Sequence, residues 1–206
     1  MFVMKYPKIL LAVGISLTVL GVQAATNLVS GGSFESAGST SLAGWTQKNN
    51  GTVSVFVGPG TGGAPSNYID LDSTKQKGAG FFNNTIDQAI VGTGLVQLSF
   101  WYAASAVDSG NTNEIKFSLG DFKGSVLNQA VNRTEWQQFT SQPILLKGNG
   151  NNTLSFTAAG KADGIGGYIG NVAVAAVPEP ETYAMLLAGL GLVGAVARRR
   201  KQASAS

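Results

Sequence analysis

The chain has 206 residues, with 14 lysines and arginines against 11 acidic residues, and neither Cys nor His. Those two absences exclude disulfides, thiolate or histidine metal sites, cysteine nucleophiles and any catalytic triad with a histidine base. Charged residues are only 12%, Gly numbers 28 and hydrophobic residues reach 44%, a balance that fits a turn-rich globular domain rather than a disordered chain.

The N-terminus carries Lys5 and Lys8, then an apolar run from Ile9 to Val22, then Gln23-Ala24-Ala25. Positive charge, a short apolar segment and small residues before a cleavage point make residues 1–24 a secretory signal peptide. The run is short of the ~20 apolar residues of a membrane span, so export is expected rather than anchoring.

Residues 25–176 form the body. Period-two alternation recurs along it. Val53, Val55 and Val57 share one face; so do Val96, Leu98, Phe100 and Tyr102, with Gln97, Ser99 and Trp101 opposite. Ile115, Phe117 and Leu119 alternate with Glu114, Lys116 and Ser118, and Leu154, Phe156 and Ala158 alternate with Thr153, Ser155 and Thr157. Val172 and Val174 close the series. Gly-rich turns such as Gly58-Pro59-Gly60 and Gly148-Asn149-Gly150 separate the runs. Short strands with one apolar face each predict an all-β fold, a two-sheet β-sandwich.

Residues 177–206 follow a different plan. Pro178-Glu179-Pro180 stops any preceding strand. Tyr183 to Ala197 is almost wholly apolar, and Arg198-Arg199-Arg200-Lys201 ends it with a basic cluster at 198–201. A single C-terminal transmembrane helix over 183–197 is the expectation, with the basic end held on the cytoplasmic side. At 1.5 Å per residue such a helix is only about 22 Å long, so its arginines would have to snorkel.

The tail resembles the PEP-CTERM sorting signal of Gram-negative bacteria, on Pro178, Glu179 and Pro180, the apolar helix, and Arg198, Arg199 and Arg200. The resemblance implies recognition and removal near Pro-Glu-Pro by exosortase, a membrane-embedded peptidase. It implies a transient inner-membrane stage, then release to the cell surface, outer envelope or extracellular matrix, often alongside exopolysaccharide or biofilm. The body resembles galactose-binding-like jelly-roll modules, on Gly32-Ser33-Phe34-Glu35, Gly44-Trp45, Tyr68-Ile69-Asp70-Leu71-Asp72, Trp136-Gln137-Gln138-Phe139 and Gly170-Asn171-Val172. In such jelly rolls the opening Glu and a closing Asp help hold a structural calcium. Here Glu35 is present, but the closing piece has Gly170 before Asn171, which leaves Glu35 and Asn171 as the available donors.

A sugar-binding surface needs flat aromatics with a few hydrogen-bonding neighbours. Trp101, Trp45, Tyr68 and Asp70 are the residues that would build one. Tryptophans in sandwiches also fill or cap the core, a role that suits Trp45 and Trp136 better than Trp101. Asp70 and Asp72 are two apart on a strand, an arrangement that reads as a solvated strand face or a calcium-binding edge rather than a glycosidase pair. No catalytic residue emerges.

The charge sorts by segment. The leader holds two lysines and the tail four basic and two acidic residues, leaving eight basic against nine acidic residues in 26–176. The positive charge lies in the addresses, so nucleic acid is not an expected partner. The sequence therefore predicts an exported, non-enzymatic surface or matrix protein associated with extracellular polysaccharide. Its alternative is a carbohydrate-binding module with a defined glycan site.

Overall fold

The computed structural model describes residues 26–35, 42–48, 53–58, 65–73, 82–104, 113–128, 135–148, 152–161, 166–177 and 180–203. The signal peptide at 1–24 and the Pro178-Glu179 pair lie outside the described residues.

Thirteen strands and one helix are described. The strands are β1 (Thr46–Lys48), β2 (Ser54–Val57), β3 (Asn67–Asp70), β4 (Asp72–Ser73), β5 (Phe82–Asn83), β6 (Thr85–Ile90) and β7 (Gly94–Ala104). They continue as β8 (Glu114–Leu119), β9 (Phe122–Leu127), β10 (Gln137–Thr140), β11 (Ile144–Leu146), β12 (Asn152–Ala158) and β13 (Gly167–Ala176), before α1 (Pro180–Ala203). A five-stranded sheet runs β1-β6-β12-β8-β9, and a six-stranded sheet runs β10-β7-β13-β3-β2 with β11 also on β7. All the pairings are antiparallel, and β4 and β5 make a separate ribbon. This is the predicted two-sheet sandwich with jelly-roll crossovers.

The alternating runs supply the core. Val96, Leu98 and Phe100 on β7 are buried, as are Ile115, Phe117 and Leu119 on β8 and Leu154 and Phe156 on β12. Phe100, fully buried, joins the sheets: its ring lies 5.1 Å from Phe156 and 5.2 Å from Phe117, both edge-on, and 5.0 Å from Phe139. Edge-to-face rings satisfy the aromatic quadrupole as well as burying area.

The chain's opening segment is tied to its last strand. Asn27 bridges to Ala175, and its Oδ1 accepts the Val29 and Val174 N–H groups at 3.0 Å each. Gly32 accepts the Val172 N–H at 2.8 Å, and a Cβ on Gly32 would lie 2.0 Å from the Val172 carbonyl oxygen, so no larger residue fits that approach. β13 itself shifts register between Gly170 and Ala173, a bulge that carries Asn171 at φ 48°.

Candidate functional site

The outward face of the six-stranded sheet gathers the aromatic side chains that the core does not use. Alternation along β7 sends Trp101 to the side opposite Phe100, where it stands between Gln138 on β10 and Gly170 on β13. Tyr168 on β13 stands between Ala103 and Asp70, and Tyr68 on β3 pairs with Phe56 on β2. Trp136 precedes β10 and reaches Tyr68 edge-on at 5.4 Å. Phe56 stacks on Tyr68 at 5.5 Å, and Tyr68 meets Tyr168 at 4.7 Å. Ala103 and Ala173 are small neighbours of the rings, whereas Pro65 packs over Gly170, 2.5 Å from where its Cβ would stand, and Tyr168 is buried.

The polar groups on this face are few. Gln138, directly opposite Trp101, is exposed, and Ser99 pairs with Thr140 one step along. Gln97 donates its Nε2 to the Ser141 carbonyl at 2.9 Å, which fixes its position. On the opposite side of β7, the Phe100 side, the Tyr102 hydroxyl donates to Gln137 Oε1 at 2.7 Å, and burial pushes its phenol above the ordinary tyrosine range. Flat rings bordered by amides and hydroxyls suit an uncharged polyhydroxylated ligand.

Three of the four residues predicted for a sugar platform come together here: Trp101, Tyr68 and Asp70. Trp45 does not. It is 8% exposed, lies between Phe34 at 5.9 Å and Phe156 at 6.0 Å, and donates its indole N–H to the Gly31 carbonyl at 3.3 Å. Its polar handle is satisfied inside, so it caps the core. Trp45 thus takes the core role that suited it, whereas Trp136, for which the same role was expected, lies half-buried on the outer face. Phe56 was not singled out in the sequence, and its place beside Tyr68 and Tyr168 depends on strand order.

Asp70 and Asp72 also depart from the expected solvated face. They are 8% and 1% exposed. Leu71 interrupts the strand, so Asp72 begins β4 while Asp70 ends β3. Asp70 Oδ1 accepts the Asp72 N–H at 3.0 Å, an Asx-type turn that holds the bend. A Cβ on Gly166 would lie 2.5 Å from Asp72 Cβ and 2.8 Å from Asp70 Oδ1, so glycine there leaves room for both.

The calcium donors meet a packing constraint. A Cβ on Gly170 would lie 2.5 Å from Pro65 Cγ and 2.9 Å from the Asn67 carbonyl oxygen, so the carboxylate implied at this place has no room. The Phe34 carbonyl accepts the Asn67 side-chain N–H at 3.0 Å, a donor where a cation would need an acceptor. Glu35 and Asn171 are both exposed, and among the described residues no group of three or more acidic, His or Cys side chains gathers to hold a metal. Among the described residues this leaves one carboxylate and one amide towards the six to eight oxygens calcium takes, so a site here would have to draw mainly on backbone carbonyls.

The C-terminal segment is helical as predicted and starts earlier, with Pro180 as its first residue, where a missing N–H costs nothing. Met185, Leu187, Leu190 and Leu192 are exposed, so this helix does not bury its apolar residues on the sandwich. No helix among the described residues is long and apolar enough to cross a membrane.

Residues 176–201 match the PEP-CTERM protein-sorting motif. The chain thus carries a PEP-CTERM sorting signal directly behind a jelly-roll body. No curated protein matches it. Among solved structures it is similar to TmCBM61 in complex with β-1,4-galactotriose, with a TM-score of 0.53 at 18% identity over 74% of this chain and 100% of that one. It is also similar to part of the arabinose-bound α-L-arabinofuranosidase MgGH51, with a TM-score of 0.51 at 11% identity over 72% of this chain. The match spans about a quarter of that enzyme's length (26%). These likenesses show that the body in front of the sorting signal shares the jelly-roll fold of those domains.

Proposed function

We propose that this PEP-CTERM protein is exported, processed by exosortase and delivered to the cell surface or extracellular matrix, where its non-catalytic sandwich contacts uncharged glycan. The parts divide as 1–24 leader, 25–176 sandwich and 177–206 sorting signal. The observation that carries the reading is the sorting motif at 176–201 joined to a sandwich with an aromatic outer face. Trp101, Trp136, Tyr68 and Phe56 would stack on sugar rings, with Gln138 and Thr140 bonding hydroxyls. The oligosaccharide bound by TmCBM61 supports this ligand class.

The exposed apolar helix would engage the membrane briefly, its arginines snorkelling to the cytoplasmic surface, until cleavage near Pro178-Glu179-Pro180 frees the body. A hydrolytic role is disfavoured because Asp70 is committed to the turn at Asp72. Calcium has no part in this reading.

The intact mass of the protein recovered from a host with exosortase tests the sorting step. The expected mass lacks the leader and everything beyond the Pro-Glu-Pro element. In a host without exosortase the tail stays on and the protein stays with the inner membrane. Identical masses in both hosts would contradict the proposal.

A further inference from the structure

The outward face of the five-stranded sheet has a different chemistry. Alternation sends Ser155 and Thr157 of β12, Lys116 and Ser118 of β8, and Lys123 and Ser125 of β9 outward. Register orders them into two rows across three strands: Ser155, Ser118 and Lys123 in one, Thr157, Lys116 and Ser125 in the next. Each row holds two hydroxyls and one ammonium, and the rows are about 7 Å apart. Together with Gly124 and Phe117 they line a groove of about 440 Å³. Glycine is required there: a Cβ on Gly124 would lie 2.6 Å from the Phe117 ring.

Two of the three nearby acids are already engaged. Asp87, beside Ser155 on β6, pairs with Lys48 on β1. Asp121, in the turn between β8 and β9, pairs with Lys147. The hydrogen bond from Lys147, with that lysine's charge and a contribution from Lys123, holds the Asp121 carboxyl below the usual range. Glu114 is the next residue along the same face of β8, two positions and about 7 Å from Lys116 and opposite Leu127, and makes no ion pair with it. Lys116 and Lys123 make no ion pair among the described residues. Two unneutralised ammonium groups therefore sit among hydroxyls, on a body with one more acid than base over 26–176. No aromatic side chain points outward on this sheet's described strands, so ring stacking is not what the groove offers.

We propose that this groove is a second site, which binds an anionic polysaccharide: Lys116 and Lys123 take its oxyanions, and the four hydroxyls take its ring oxygens. Charge-assisted bonds to oxyanions are the stronger contacts here, and hydroxyls act as both donors and acceptors. The site is on the opposite sheet from the aromatic face and stands or falls separately from it.

Affinity electrophoresis of the full chain in neutral detergent tests this, with alginate (carboxylate), dextran sulfate (sulfate ester) and uncharged dextran in the gel. Wild type is expected to be retarded by at least one polyanion and not by dextran, less so at high salt. The Lys116→Gln/Lys123→Gln pair should weaken that retardation about tenfold or more. The Lys161→Gln/Lys201→Gln pair, which removes the same charge outside the groove, should leave it intact. Retardation by alginate or by dextran sulfate, lost in the first pair only, supports the site and names its oxyanion. Equal losses in both pairs, or no retardation by either polyanion, would overturn it.

Discussion

Truncating Phe100 to alanine is expected to destabilise the domain by about 4 kcal/mol, measured as a lowered denaturant midpoint. The ring is fully buried and contacts Phe117, Phe139 and Phe156 within 5.2 Å, so its removal leaves a cavity between two sheets that cannot easily close. Deleted transfer energy and lost packing act together at such a site. For a domain of this size the thermal midpoint should fall by about 10 °C. Val57, 87% exposed at the end of β2, provides the contrast: its alanine variant should change stability by less than about 0.5 kcal/mol. A Phe100→Ala loss under about 1 kcal/mol would mean that the two sheets do not share this core.

Gly170→Asp is expected to cost at least about 3 kcal/mol, although it restores the residue that the jelly-roll resemblance implies. The new Cβ would lie 2.5 Å from Pro65 Cγ, 2.6 Å from Pro65 Cβ and 2.9 Å from the Asn67 carbonyl oxygen. Overpacking of this kind costs about 1–3 kcal/mol, and a carboxylate at a buried position adds a desolvation cost. Millimolar calcium should not restore the thermal midpoint, since the Asn67 amide already occupies the Phe34 carbonyl. A calcium-dependent rise of several degrees in the variant would show instead that the remaining oxygens form a cradle.

The sequence disclosed those elements whose burial has one consistent side. β7, β8 and β12 write their alternation plainly because each turns one apolar face inward. β6 was missed because Gln88 occupies an inward position in Thr85–Ile90. Its amide is satisfied there, accepting the Ser30 N–H at 2.8 Å and donating to the Ser30 and Gly44 carbonyls at 2.8 and 2.6 Å. β9 was missed because Gly124 stands opposite Phe117, where the pattern calls for a large apolar residue. The sorting tail was legible because three chemically unlike elements follow one another locally.

The candidate faces were only half legible. Period two placed Trp101 outside, and strand order then decided its companions: β13 intervenes between β7 and β3 and brings Tyr168 beside Tyr68. Trp136 left the core role expected of it while Trp45 kept it, since burial of an aromatic depends on what crosses it. The paired lysines of the groove emerge only from the β8–β9 register, in which Lys123 faces Ser118 and Lys116 faces Ser125.

The most direct measurement is isothermal titration calorimetry of the full chain in detergent against neutral oligosaccharides, β-1,4-galactotriose among them. The expected result is saturable binding that weakens about tenfold or more in Trp101→Ala and in Trp136→Ala, and is unchanged in Lys116→Gln/Lys123→Gln. Absence of binding to every neutral glycan, or wild-type affinity in both tryptophan variants, would contradict the aromatic face as the sugar-contacting surface.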